Sequence, residues 1–485
     1  MAHPPPPPSA RRDELFVGGA WTPGTGRERF PVISPTSEEL LHEQPLATAA
    51  DADAALDAAR RSFVSGVWAE RPAGERATAL WRVAALLERR APELVELMGL
   101  ELGQRPTAAC WRVSAAVDVW RFAANLAPRA LMPEPSFTSD GRPASVHRVP
   151  MGVAFLITPW NSPLLLASMK ASAALAAGCS GVLKPAPEAP LTLNVLAEVL
   201  QEAGLPDGVV SVLPAGAEIT ARIVADDRVD IVSFTGSTEV GAKIAASCAA
   251  RIGRVALELG GKSPAVVLPG SDTATVVPQL LEAAGLSTAG QVCTARTRIL
   301  VPHCEYERWA EVLASAMRAM RVGPPDDPRA EVGPLATARQ RDRVLEYIAV
   351  GRSEGARLLC GGERPAHLER GFFVEPALFV DVDNGMRIAR EEIFGPVLCL
   401  IGYDDLDHAV ELANDSPYGL AASVYGSDGD LAHAVANRMR SGTVHVNTNG
   451  AAYDLPFGGF RRSGVGRECG IEGIRTYLET VQVVG

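Results

Sequence analysis

No Cys-x-x-Cys pair occurs in this chain, and none of its eight histidines stands at metal-ligand spacing from its eight cysteines. Structural zinc and a dense disulfide framework are thereby excluded. The scattered cysteines (Cys110, Cys179, Cys248, Cys293, Cys304, Cys360, Cys399 and Cys469) instead suit a reducing compartment, most of them as small buried hydrophobes. Apolar runs of the roughly 18 residues needed to span a bilayer are missing as well. Positive charge is in deficit, with 46 basic against 57 acidic residues and a net charge of −11. That balance disfavours nucleic acid and anionic membrane as partners, yet leaves room for a local basic pocket holding a phosphorylated cofactor. Residues 1–12 contain five consecutive prolines and no apolar h-region. Residues 1–13 therefore read as a disordered lead-in rather than a signal peptide, and the chain is expected in the cytoplasm. There is no internal repeat, and no Gly-x-Gly-x-x-Gly fingerprint follows any predicted strand.

What is present is core-forming sequence in quantity. The chain has 485 residues, 47% of them hydrophobic and 21% charged, enough for two or three domains at roughly 100–200 residues each. Short strands and turns open it at 14–48. Helical periodicity follows over 51–63 and 73–90, where Leu80, Val83, Leu86 and Leu87 form one stripe, and continues to about residue 127. From Gly152 the pattern alternates. Apolar strands at 153–157, 181–183, 209–213, 230–234 and 255–258 are separated by helices, which predicts an α/β fold with a parallel, doubly wound sheet. A second alternating unit starts after Lys262, so a boundary is expected there. Residues 130–149 show neither periodicity and read as a loop.

Ligands of doubly wound sheets bind at the carboxyl ends of the strands, and Asn161, Lys184, Gly236 and Glu258 all fall at such ends. Three segments supply complementary chemistry. Gly290-Gln291-Val292-Cys293-Thr294 offers a thiol, Glu258-Leu259-Gly260-Gly261-Lys262 a carboxylate, and Pro159-Trp160-Asn161 a side-chain amide. A nucleophile, a base and an amide donor are what attack on a carbonyl carbon requires. Taken singly each has a plainer reading: a buried inert thiol, a solvated strand-end carboxylate, an Asn-x-Pro turn. Phe234-Thr235-Gly236-Ser237 can likewise be a strand–helix turn with a serine cap, or a phosphate site at a helix start.

In combination these segments resemble the NAD(P)-dependent aldehyde dehydrogenases of the hydrolytic, non-CoA-acylating type, over about residues 14–485. The resemblance implies a Rossmann-like cofactor domain (14–129 and 150–261), an α/β catalytic domain (262–470) and a small β arm for oligomerisation (130–149 and 471–485), with homodimer and homotetramer both open. It implies Cys293 as nucleophile, Glu258 as base for the thiol and the deacylating water, and Asn161 as oxyanion donor. Thr158, Trp160, Lys184, Gly236, Ser237, Leu259, Glu392 and Phe394 would hold the cofactor. Glu392 and Phe394 come from Glu391-Glu392-Ile393-Phe394-Gly395-Pro396; the glycines of Pro456-Phe457-Gly458-Gly459-Phe460 and Ser463-Gly464-x-Gly466-Arg467-Glu468 would shape the channel wall and interface. One departure concerns the ribose. Pro187 stands where the family often has a glutamate, with Glu188 displaced by one, so NAD is expected and NADP stays open. By analogy Ser162, Leu166, Met169, Val292, Thr294, Tyr453 and Phe457 line the channel. That set lacks a cation and implies a roomy apolar pocket for a medium-size aliphatic, terpenoid or aryl aldehyde rather than an acidic semialdehyde. The rival readings are a CoA-acylating enzyme, disfavoured by Glu258, and a non-catalytic scaffold.

Overall fold

The computed structural model describes residues 6, 7 and 9–485, and two large sheets organise it. In the first, five parallel strands run Arg254–Glu258, Ile231–Thr235, Val153–Ile157, Ser180–Lys184 and Val210–Val212 across the sheet. Each of the two central strands Val153–Ile157 and Ile231–Thr235 is buried along its whole length, as expected when helices cover both faces of a parallel sheet. Glu14–Val17 and Ala20–Pro23 extend one edge antiparallel, and Gly464–Val465 pairs antiparallel on the other. The helix Pro163–Ala177 opens with proline in its first turn and ends at Gly178, whose φ of 99° only glycine adopts without strain.

Chain order reverses between Val153–Ile157 and Ile231–Thr235, which are neighbours in space but not in sequence. Connections from these strands leave in opposite directions and open a crevice at the carboxyl ends. Asp230 fixes the opposite end of this pair. Its Oδ2 accepts from Val153 N at 2.7 Å and from Arg60 Nη2 at 2.7 Å.

The second sheet has seven strands, all parallel except the edge strand Arg357–Cys360. Ser263–Val267 and Arg296–Pro302 lie at its centre and bring the chain into and out of the Cys293 loop. The periodicity reading did not show Arg357–Cys360 and its neighbour Ala377–Val380, which are only four residues each.

Residues 130–149, which read as a loop, contain two strands. Glu134–Phe137 and Pro143–Pro150 form a three-stranded antiparallel sheet with Leu478–Val484. The reason is physical: Pro143–Pro150 takes its second partner from more than 300 residues away, and Glu134–Phe137 is exposed throughout, so burial imposes no alternation. Of the lead-in expected to be disordered, residues 1–5 and 8 lie outside the described residues. Ala10 is buried, and its carbonyl accepts from Asn194 Nδ2 at 2.7 Å, so the segment from Ser9 onward packs on the first unit. Among the described residues no helix is long and apolar enough to cross a membrane.

Gly152 (φ 144°) precedes the first central strand, and a Cβ there would lie 1.8 Å from Asp230 Oδ2. Gly152→Ala is expected to lower stability by about 2 kcal/mol, combining backbone strain with displacement of the half-buried Asp230 carboxylate from Val153 N. A thermal-unfolding midpoint equal to that of the parent would contradict this.

Candidate active site

The register of the first sheet brings the polar strand ends together. Ile157 pairs with Lys184, Phe234 with Ile157, and Thr235 with Glu258. Thr158 N donates to the Lys184 carbonyl at 3.1 Å, and Gly236 N to the Glu258 carbonyl at 3.1 Å. Gly236 is required by contact, since a Cβ would come within 2.4 Å of the Phe234 ring. Ser237 then caps the helix Thr238–Ala250, its Oγ accepting from Val240 N at 3.3 Å. The helix start faces the crevice end of the sheet, where unpaired N–H groups and the helix dipole favour a phosphate. Burial pushes the Lys184 ammonium down to about 8, while nearby Glu188 opposes the shift. Glu188 itself pairs with Arg339 at 3.1 Å.

The Cys293 loop is held by close backbone approaches. Gly290 has φ 70°, and a Cβ there would lie 2.2 Å from the Gly395 carbonyl. Gln291 anchors the next step, donating to Thr288 O at 3.1 Å and accepting from Ala336 N at 2.9 Å. Its carbonyl accepts from Asn161 Nδ2 at 3.0 Å, so the amide expected near the thiol is tied to the same loop. Gly260 and Gly261 close the other side. A Cβ on Gly260 would meet Glu392 Oε2 at 2.3 Å, and one on Gly261 would meet the Cys293 carbonyl at 2.8 Å. Glu392 Oε1 accepts from Gly261 N at 3.1 Å, and burial raises its carboxyl to about 7. Trp160 and Phe394 meet edge-to-face at 5.5 Å. Phe394 is held at φ 60°, its carbonyl accepting from Gln340 Nε2 at 2.8 Å. Leu259 is buried and bonds backbone-to-backbone with Ser463 at 2.9 Å.

Cys293 is recessed but not sealed, and its thiol is pushed up to about 12 by burial and then by the charges of Glu392 and Glu258. Glu258 is 4% exposed, and its Oε2 has no partner among the described residues. Burial, with Glu468 beside it, raises its carboxyl well above the usual range, while Lys170 and Arg467 pull the other way. Gly458 (φ 153°) leaves room for it, because a Cβ there would sit 2.6 Å from Glu258 Oε1.

Lys170 and Glu468 form a buried ion pair, and Lys170 Nζ also donates to Ser233 Oγ at 3.0 Å. The sequence reading named Glu468 only within a glycine-bearing segment and passed over Lys170. A signal existed: Lys170 is the one charged residue in the helix Pro163–Ala177 and one of four lysines in the chain. Lys262 is buried as well, Lys184 nearly so, and only Lys243 stands in solvent. Arg112, also passed over, is 7% exposed and donates from Nε to Ser162 Oγ at 3.0 Å.

A doubly wound sheet that opens its crevice onto a recessed thiol defines a class, the nucleotide-dependent dehydrogenases of carbonyl compounds. More narrowly, the chain belongs to the aldehyde dehydrogenase family, whose sequence model matches residues 21–483. It is 42% identical to geranial dehydrogenase of Castellaniella defragrans over 96% of both chains. A Mycobacterium tuberculosis aldehyde dehydrogenase solved with NAD+ superposes with a TM-score of 0.96, at 41% identity and 98% coverage of each chain. A cysteine-to-alanine mutant of aldehyde dehydrogenase C from Pseudomonas syringae, solved with NAD+ and octanal, gives 0.94 at 38% identity, covering 100% of this chain and 98% of that one.

Since a thiol held near 12 is almost wholly protonated at neutral pH, its thiolate fraction grows tenfold per pH unit. Iodoacetamide labelling of the Cys293 peptide, followed by mass spectrometry on cofactor-free protein, is expected to accelerate about tenfold per unit from pH 7 to 9. A plateau below pH 8 would contradict the assignment.

Proposed function

We propose that the chain oxidises a medium-size aldehyde with an apolar stem to its carboxylic acid, with NAD, through a thiohemiacetal and a thioester on Cys293. The observation that carries this is the convergence of the Cys293 thiol, the Asn161 amide and the unpartnered Glu258 carboxyl at the end of the switch-point crevice. The crevice fits a dinucleotide: Gly236 and the helix start at Ser237 suit a pyrophosphate, and Lys184 and Thr158 flank the neighbouring strand end. Glu392, with Trp160, Phe394 and Leu259, would hold the nicotinamide end. When bound, NAD supplies the hydride acceptor.

The chain's own residues do the rest. Glu258 takes the thiol proton, the Cys293 sulfur attacks the carbonyl carbon, and Asn161 Nδ2 with the Cys293 N–H stabilises the oxyanion; one such donor is typically worth about 2.7–4 kcal/mol. Glu258 then activates the water that releases the acid. Its raised basicity is useful here, since an ordinary carboxylate would be too weak a base. Lys170 and Glu468 behind it offer a buried route for that proton. The presence of Glu258 favours hydrolysis over transfer to coenzyme A.

An apolar stem is supported by Leu166, Met169, Val292 and Phe457, and by the geranial and octanal named for two similar proteins. NAD is supported by the NAD+-bound neighbours; Pro187 leaves a lowered barrier to NADP. We assign 14–129 and 150–261 to cofactor binding, 262–470 to catalysis, and 130–149 with 471–485 to an oligomerisation arm. Exposed Phe137, Val481 and Val483 on that arm fit a homodimer or homotetramer. Eight free cysteines fit a cytoplasmic location.

Initial rates of reduced-cofactor formation with hexanal, measured with NAD and with NADP, test the reading. Turnover is expected with NAD and weaker turnover with NADP. Cys293→Ala should abolish turnover while retaining NAD binding, and silence of the parent with every aldehyde would overturn the proposal. Lys170→Met removes a cation that lowers the Glu258 carboxyl, so the rising limb of kcat against pH should move alkaline by about one unit. An unmoved limb would remove Lys170 from the proton route.

A further inference from the structure

Arg112 lies on the helix Pro106–Leu131, nine-tenths buried, with no carboxylate near it. Burial lowers its guanidinium only to about 10, so it carries a full charge at neutral pH, and Tyr453 close by is a neutral phenol there because burial raises its own pKa. Taking such a charge out of water without a counter-ion is unfavourable unless hydrogen bonds replace the solvent. Among the buried arginines Arg298 is fully wrapped, Arg76 has three carbonyls but a buried Nη2 without a partner among the described residues, and Arg296 has only Ser423 Oγ and the Thr294 carbonyl. Arg298 donates to the carbonyls of Lys262, Leu412 and Ala413 and to Asn384 Oδ1. Arg76 donates to the carbonyls of Ala69, Arg71 and Ala176. Arg112 has only Ser162 Oγ and, at 3.4 Å, the carbonyl of Ala108 on its own helix. Its Nη2 has no partner among the described residues.

The position of this charge is informative. Ser162 directly follows Asn161, whose amide is bonded to the Cys293 loop. Tyr453 packs on Trp111 with ring centroids 6.3 Å apart and planes tilted by 47°, next to Arg112 on the same helix. Arg112 is therefore joined through Ser162 to the residue whose amide holds the Cys293 loop. Ser162 is also unusual: it occupies the cap position of Pro163–Ala177 but makes no cap bond. With its oxygen accepting from Arg112 Nε, its hydroxyl proton is left to donate elsewhere.

We propose that Arg112 and Ser162 form a carboxylate subsite, and that the substrate is a medium-chain ω-oxo carboxylate: an aldehyde at one end, an apolar stem, an anion at the other. This deepens the function proposed above and rests on it. A guanidinium with an open Nη2 beside a serine hydroxyl presents two donors to a planar carboxylate. The channel set inferred from sequence lacked a cation because Arg112 lies 50 positions before Ser162, on a helix that carried no recognisable chemistry.

The test compares kcat/KM for six- and eight-carbon ω-oxo acids with that for hexanal and octanal, in the parent protein and in Arg112→Met and Arg112→Lys. In the parent the oxo acids are expected to lead by at least tenfold, through a lower KM. Arg112→Met should cut that ratio at least tenfold, and Arg112→Lys should restore part of it. Oxidation of hexanal at equal or higher efficiency than the oxo acid in the parent overturns the inference and leaves the aldehyde dehydrogenase reading intact; this comparison holds whether or not the variants fold. Equal losses for both substrate classes in Arg112→Met would overturn it too, reducing Arg112 to a prop for Ser162. Absence of turnover with every aldehyde would instead remove the function on which it rests.

Discussion

The ion pair between Lys170 and Glu468 sits where water does not reach, and the chemistry of the site follows from what it does to Glu258. Burial alone would hold that carboxyl protonated, and Glu468 pushes in the same direction; Lys170 provides the opposing pull. The net result is a carboxyl held well above the usual range, which makes its ionised form a stronger base than an ordinary carboxylate. Lys170 reaches this place because its helix crosses the first sheet beside Ser233, on the strand that pairs with the one ending at Glu258. Shifting either strand by one residue would turn Ser233 or Glu258 to the opposite face.

Contacts that only glycine allows join the two sheets around the thiol. Gly260 and Gly261 let the end of the first sheet come against Glu392 and the Cys293 backbone, and Gly290 lets the thiol loop lie on Gly395. The Gly261 and Gly290 contacts are with backbone, which cannot move aside as the Glu392 side chain at Gly260 could. The Cys293 loop is thus positioned by the same approach that holds the two units together, and crevice width and thiol position are coupled.

Much of this was legible in the chain. The five parallel strands were visible because burial on both faces makes them nearly continuous apolar runs, and their polar ends followed. Asn161, Glu258 and Cys293 were identifiable as a set because their chemistry is complementary, although separately each has a plainer reading. The arm strands were not legible, since exposed residues obey no burial period and the strand that completes their sheet lies at the far end of the chain. Lys170 and Arg112 were missed for a different reason. Each is a charge on a helix otherwise read for its apolar periodicity, and what it meets is decided by how helices pack on the sheet. A solitary charge in an apolar helix, as at Lys170, is itself a signal.

Forty-two arginines stand against four lysines, with one of those lysines freely exposed. Aldehydes condense with amines to form imines, whereas a protonated guanidinium is a far poorer partner. The surface therefore carries its positive charge in a form that its own reactant scarcely modifies. Among lysine side chains, Lys243 is the main outward target for adduct formation, and Lys184, at about 8, holds an appreciable share of free amine inside the crevice. Slow self-inactivation by accumulated substrate would then begin within the crevice rather than across the surface.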